Sequence, residues 1–506
     1  MLERTYINRN IFYYSIFFTV ISFIEWLAGD LLNTKIKSLD YAQTMKIYEW
    51  LIVFTVVLVF VSWKKVTGKY FTPYTIFYSF LAAFNAGQFI MWAFNIHYIT
   101  QDAKELGVAT HVRYMDSETL LKIIIITLPA ITAFHAGALI LSSIEHKKES
   151  PKKDFLENEK ICAALKYVGI FFFIVSYAVS MYETVKNFSI AEKSGYTSLY
   201  YGETAGSNPI FKYLEYMFLP SIFAVFVGFK CSGKSFVVLS LAFLPYMLLN
   251  VIMGDRGSWV YFICLWIWCY WSFFYKKDAS DTEKRKGQRK KIFLLILTGA
   301  IFLSLVSVFV KFRDIGFNKI TTDDMKEVFS DLRFIFVKPF FEMGQSARVL
   351  GIILQDNIHE TWTGGNTYIS GIISMPLPRI KLLFGFYDGY LDNWISQTHM
   401  HLKDYGIGFT AVAEAYLNGG ELFYPFYMFI MGAFVGKLSF INIKEGANYS
   451  GMFVCLASMV TLMTVCRGSV ELSFRKWFYG CIVIWLLCKF IASTFKLNVK
   501  GRRNGN

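Results

Sequence analysis

Twelve separate stretches of this 506-residue chain are apolar over about the length of a bilayer crossing, near residues 11–32, 47–63, 71–95, 119–143, 161–185, 210–228, 235–253, 258–275, 292–311, 423–440, 449–466 and 477–495. A helix needs roughly 20 apolar residues to cross about 30 Å of hydrocarbon. In that medium every backbone N–H and C=O must be satisfied within the element itself. The runs therefore predict an all-α polytopic membrane protein of about twelve transmembrane helices. The eight cysteines fall almost wholly inside these runs, with no Cys-x-x-Cys pair and no histidine at zinc spacing, so they read as small hydrophobes. Arg4 and Arg9 precede a first run long enough to span, without a small-residue cleavage site after it, and the first helix is expected to stay in the protein.

The net charge of +14 excludes less than it suggests. A nucleic-acid partner would need a basic face on a folded soluble domain. Here the lysines and arginines gather in short loops: Lys64, Lys65 and Lys69; Lys147, Lys148, Lys152 and Lys153; Lys230 and Lys234; and a run from Lys276 to Lys291. Basic short loops face the cytoplasm, which puts both termini there and makes membrane lipid, not nucleic acid, the expected partner. The loop 33–46, with three lysines, runs against the rule. Glu25, Lys122, Lys166 and Glu215 are ionisable groups within runs, functional candidates by default or interfacial snorkels near helix ends.

The exceptional connection is the outward loop 312–422, far longer than an ordinary loop and near charge balance, with ten Lys/Arg and eleven Asp/Glu between 311 and 405. Loops of this size are functional or disordered, and its aromatic, Ile and Leu content argues for a folded insert. The expected organisation is an N-terminal bundle of about nine spans (1–311), a helical extracytoplasmic cap with amphipathic helices (312–422), and C-terminal spans with a basic tail (423–506).

Candidate chemistry clusters in and beside the cap. Gly254-Asp255-Arg256-Gly257-Ser258 and Cys466-Arg467-Gly468-Ser469 each put an arginine before Gly-Ser at the outward end of a span. Helix N-termini offer free N–H groups to anions, and a guanidinium adds a bidentate fork suited to phosphate. The pattern fits a diphosphate site, or arginines snorkelling to ordinary phospholipid. Arg313, at the start of the cap, and Arg333 are further candidates for an anion contact. Phe334 to Leu354 reads as an amphipathic helix interrupted at Pro339, with Glu342, Gln345 and Ser346 on one face and Arg348 at its edge. Arg379 follows a stiff Pro-bounded strip. His399 and His401, two apart, would share a face on a strand; His401 suits a proton acceptor better than a zinc ligand, since no third ligand is apparent. Glu414 sits in a small-residue helix, as a base or as the group that orients Arg256 or Arg467.

Together these stretches resemble the O-antigen polysaccharide polymerase (Wzy) family of bacterial inner-membrane glycosyltransferases. The resemblance rests on Gly254-Asp255-Arg256-Gly257, Phe312-Arg313-Asp314, Glu342-Met343-Gly344-Gln345-Ser346, Gly406-Ile407-Gly408 leading to Ala413-Glu414-Ala415-Tyr416-Leu417-Asn418-Gly419-Gly420, and Arg467-Gly468. It implies a multi-helix fold related to lipid-linked sugar transferases of the GT-C-like kind. It also implies a glycan on undecaprenyl diphosphate as donor and another as acceptor, an extracytoplasmic active site, no cofactor, no obligatory metal and a separate chain-length regulator. On that reading Arg256, Arg313 and Arg467 hold the departing diphosphate, and Glu414, His401 and Glu342 are the candidate bases. Arg333, Gln345, Arg348 and Arg379 contact the substrates. A ligase that transfers finished polymer needs the same parts. A flippase for the lipid-linked unit would instead favour internal repeats and midplane sites.

Overall fold

The computed structural model describes residues 4–96, 115–147, 151–194, 208–255, 257–274, 337, 340–401, 406–439 and 448–494. It is a helical membrane protein, and ten of its helical runs are long and apolar enough to cross a bilayer. Seven of these come first: α1 (Arg9–Asn33), α2 (Tyr41–Thr67), α3 (Pro73–Ala93), α4 (Ser117–Ser142), α5 (Pro151–Ser194), α6 (Pro209–Gly228) and α7 (Gly233–Met253), followed by the shorter α8 (Ser258–Phe273). Two short helices follow, α9 (Arg348–Gln355) and α10 (Thr367–Ile373), then α11 (Ala411–Ser439), α12 (Tyr449–Leu462), α13 (Val470–Trp477) and α14 (Ile484–Thr494). A π-helical turn, Phe478–Val483, joins the last two into one crossing. The expected crossing at 292–311 lies outside the described residues, and that at 258–275 is the 16-residue α8.

One departure from helix was not expected. Strand β1 (Arg4–Ile7) pairs antiparallel with β2 (Ile144–Lys147), the residues just after α4. The pair fixes the start of α1 and the end of α4 on one side, here called the strand end. The same end holds a buried lock: His135 Nε2 meets Ser62 Oγ at 2.7 Å, and its Nδ1 meets the Tyr74 hydroxyl at 2.8 Å. Both ring nitrogens are thereby paired across α2, α3 and α4. The opposite, open end carries the start of α4 and the end of α3.

The central seam is α4 against α11. In lipid, helices associate through close packing rather than through exclusion of water, so small residues mark the contact. A Cβ on Gly432 would stand 1.8 Å from the Phe134 carbonyl oxygen, one on Gly137 1.9 Å from that of Phe429, and one on Gly436 2.4 Å from that of Ala138. The two helices run parallel toward the strand end. Helix α11 is broken at Gly420, whose φ of 55° and ψ of −156° are not helical. This makes Ala411–Gly419 a separate small-residue piece, earlier than the span expected at 423–440.

The expected amphipathic helix around Glu342 is present from Phe340 onward, through a 3-10 turn at Gln345–Ala347 into α9. Gly344 lies against α3 so closely that a Cβ there would be 2.4 Å from the Gln88 nitrogen. Gln88 in turn donates from Nε2 to the Phe341 carbonyl at 2.9 Å. The insert is thus packed into the bundle at this point, about one and a half turns short of the end of α3.

Gly432→Val is expected to abolish the α4–α11 seam and yield little monodisperse protein in detergent. Gly406→Ala, where an added Cβ meets nothing within 4 Å, should leave the melting temperature within a degree or two. Size-exclusion profiles and thermal melts of the two variants check this.

Candidate functional site

The site is built where α10, α11 and α13 meet. Glu414 is fully buried, and each of its carboxylate oxygens accepts one bond. Thr367 Oγ1 donates to Oε1 at 2.6 Å, and the Val470 N–H donates to Oε2 at 2.8 Å. Asn418, one turn further along α11, extends the tie: its Nδ2 donates to Thr367 Oγ1 at 2.8 Å and its Oδ1 accepts from the Thr367 N–H at 2.8 Å. The first N–H groups of a helix lack intrahelical partners and carry partial positive charge. At α13 they are taken by protein carboxylates, Val470 by Glu414 and the preceding Ser469 by Asp392 Oδ2 at 3.3 Å. The start of this helix is therefore satisfied internally, and Arg467 lies beside it.

Arg467 is exposed, with its guanidinium 5.9 Å from the centre of the Phe84 ring. Its carbonyl accepts from the Phe409 N–H at 3.3 Å, which fixes the junction against the chain leading to α11. Phe84 lies nine residues before Ala93, so at ~1.5 Å per residue Arg467 sits about 13 Å below the open end of α3. The sequence places this junction on the outer boundary; the fold sets it below the end of α3. The reason is the length of α12, whose Cys455 already lies beside the Ser439 carbonyl at the strand end of α11, leaving too few residues to climb further.

One turn into α13 a second buried cluster forms. Lys381 Nζ donates to Glu471 Oε1 at 2.9 Å, to Oε2 at 2.8 Å and to the Gly389 carbonyl at 2.7 Å. Arg475 Nη2 donates to Glu471 Oε1 at 2.9 Å, and its Nη1 to the Tyr390 hydroxyl. Lys381, Glu471 and Arg475 are all buried. Two cations share one carboxylate, so the group carries an excess positive charge in a medium that solvates it poorly.

The Gly254–Ser258 junction approaches the same region. Tyr261 of α8 lies within electrostatic reach of both Asp255 and Arg467. A polar cavity of about 210 Å³ is lined by Ser258 and Asn250 at this junction, Glu215 of α6, and Lys476 and Thr461 of the α12–α13 hairpin. Arg256 itself, with Arg313 and Arg333, lies outside the described residues.

The other sequence-derived candidates are spread around the site. His401 is exposed and adopts a left-handed backbone, φ 52°. His399 does not share a face with it on a strand: it ends a π-helical turn, stacks on Trp394 at 5.4 Å, and pairs through Nε2 with Asp356 Oδ2 at 2.8 Å. Glu342 and Gln345 are half-buried near α3, Arg348 is buried, and Arg379 is exposed. Among the described residues no group of three His, Cys, Asp or Glu is placed to hold a metal.

Sequence reasoning missed Thr367, Lys381, Asp392, Glu471, Arg475 and Lys476. Glu471 and Arg475 carried a usable signal, an i, i+4 pair of opposite charge in a bilayer-length run. Lys381 and Thr367 carried none, since their partners are 90 and 47 residues away.

Burial raises the Asp392 carboxyl from 3.8 to about 6, against the lowering effect of its Ser469 bonds. The folded state therefore holds this proton more tightly than the unfolded chain, and its contribution to stability falls as pH rises through that interval. Wild type should lose stability relative to Asp392→Asn between pH 3.8 and about 6 and show a constant difference above it, in melts run across the range. Glu471→Gln leaves the buried Lys381 and Arg475 without their counter-ion; such losses cost about 3–5 kcal/mol, whereas Lys381→Met, which keeps Glu471 paired with Arg475, should cost less in the same melts.

The chain matches the sequence profile described as O-antigen polysaccharide polymerase Wzy over residues 11–498. No curated protein and no solved structure matches it. With nearly its whole length matched, the chain belongs to the Wzy family of O-antigen polysaccharide polymerases.

Proposed function

We propose that the protein joins lipid-linked oligosaccharide repeat units into polysaccharide at the extracytoplasmic side of the bacterial inner membrane. The donor is a growing glycan on undecaprenyl diphosphate, and the acceptor is a repeat unit on a second such lipid. A hydroxyl of the acceptor sugar attacks the donor anomeric carbon, forming the new glycosidic bond. The bond to the lipid diphosphate breaks, and the diphosphate leaves with its electron pair. The observation that carries this reading is the exposed Arg467 beside a helix start already filled by Glu414 and Asp392. A guanidinium held in place before the reaction stabilises charge as it develops on the leaving group. In this reading Arg256 and Arg313 complete the diphosphate site, while Arg333, Gln345, Arg348 and Arg379 contact donor and acceptor.

Glu414 supports the chemistry from behind. Both its oxygens are engaged and it is closed from solvent, so it acts through the start of α13 and the placement of Arg467, as a positioning residue. The hydroxyl proton goes to His401, whose exposed imidazole is held in a backbone region that side chains adopt at some cost. Glu342, on the helix packed against α3, is the alternative acceptor. No metal or cofactor is needed for the step. A separate chain-length regulator would act on the number of such cycles.

Arg467→Ala is expected to abolish chain extension in cells while protein level in the membrane stays unchanged. Arg467→Lys, which keeps the charge but loses the fork, should retain a small fraction of activity. Arg256→Ala should behave as Arg467→Ala. Normal long-chain polymer in the Arg467→Ala strain would overturn the assignment. Purified protein joining lipid-linked units in detergent would separate a polymerase from a flippase.

A further inference from the structure

The segment 366–387 enters the helix bundle rather than lying across its end. Its two limbs are closed at the base by the Tyr387 N–H, which donates to the Gly364 carbonyl at 3.2 Å. From that base the descending limb follows α13. Thr367 is tied to Glu414, which holds Val470; a Cβ on Gly371 would lie 3.2 Å from the Glu471 Cα; and the Pro376 carbonyl accepts from the Tyr479 hydroxyl. Between Val470 and Tyr479 the helical run advances about 13 Å at ~1.5 Å per residue.

A second register agrees with the first. Asn366 Nδ2 donates to the Tyr427 hydroxyl, and the Tyr368 ring lies 4.8 Å from that of Tyr427. Tyr427 precedes Gly432 by little more than one turn, and Gly432 lies on Phe134, so Tyr427 stands near the middle of α4. Two helices of different sequence position thus put the segment at mid-bundle depth.

Its two faces differ. The inward face carries Thr367 and the buried Lys381. The outward face carries Ile372 at 57%, Phe384 at 63% and Leu383 at 84% exposure, with Ile369 and Leu377 beside them. Phe423 and Phe426 of the neighbouring α11 are also exposed. Patches of this kind at the surface of a soluble fold mark a partner; at this depth the surrounding medium is hydrocarbon. Non-helical backbone tolerates such a position only where its polar groups are satisfied by protein. Here the Gly385 N–H donates to the Leu382 carbonyl, the Phe386 N–H to the Lys381 carbonyl, and Lys381 Nζ to the Gly389 carbonyl.

We propose that residues 366–387 form a re-entrant hairpin whose outward face is seated among the acyl chains at mid-bundle depth, so that lipid borders the candidate site at Thr367 and Lys381. The placement rests on the two depth registers and not on the polymerase chemistry.

Nitroxide labels on Leu383→Cys and Ile372→Cys test it in the full chain, reconstituted into phosphatidylethanolamine–phosphatidylglycerol vesicles, with the spectrum of labelled unsubstituted protein subtracted. Phe426→Cys serves as the lipid-facing standard and Lys37→Cys as the aqueous one. Oxygen should relax the labels at 372 and 383 more strongly than the water-soluble nickel complex does, as at 426. Relaxation by the nickel complex at the level of Lys37→Cys would overturn the hairpin's placement. So would labels reached by neither reagent, which would mean that protein covers this face. Since no chain extension is measured, either result leaves the polymerase reading to its own test.

Discussion

A single carboxylate joins three segments that the chain supplies far apart. Glu414 receives Thr367 from the insert and Val470 from the last crossing while itself belonging to α11. In a buried, weakly polar setting a carboxylate cannot be left partly satisfied, and neither can a hydroxyl or a helix N–H. Each of the three groups completes the others, so α10, α11 and α13 are fixed relative to one another by a requirement stronger than shape. Everything nearby inherits that register: Asn418 on the next turn, Asp392 on Ser469, and the Arg467 carbonyl on Phe409.

The charge arrangement around this point has two layers. Deep in the bundle, Lys381 and Arg475 enclose Glu471 and leave a surplus of positive charge. Nearer the open end, Asp392 and Glu414 occupy the start of α13, and Arg467 stands exposed beside them. The carboxylate of the inner cluster is taken by its two cations, whereas Arg467 is exposed, with its guanidinium against the Phe84 ring. Behind the exposed Arg467 guanidinium thus lies a field of the same sign.

Much of the fold could be read from hydropathy because lipid imposes one rule on every crossing, and ten of the predicted runs are helices of spanning length. The start of α11 was hidden by Asn418, Gly419, Gly420 and Glu421, which lower the local average although the small-residue piece before them is buried. The site was legible in part. Glu414 stood out as a carboxylate among alanines, and Arg467 as a cation between two apolar runs. Its depth could not be read, because that depends on where α12 starts relative to α11. Thr367 and Lys381 are ordinary residues in an ordinary-looking loop, and only the folded chain shows what they touch. The His399–His401 spacing pointed to a shared face because it was read as a strand, whereas a π-helical turn sends the two rings apart.

The pairing of β1 with β2 has a consequence for the order in which the molecule is made. Once Lys147 has left the ribosome, the first four crossings can be clasped by that short ladder, long before α11 exists. Helix α4 must then wait, its glycine face bare, while some 260 further residues are synthesised. Its mean hydropathy of 2.1, among the highest of the crossings, equips it to stand against fatty-acid tails for that interval. One apolar strip thus serves two hosts in succession, first the bilayer and then the late-arriving helix that replaces it.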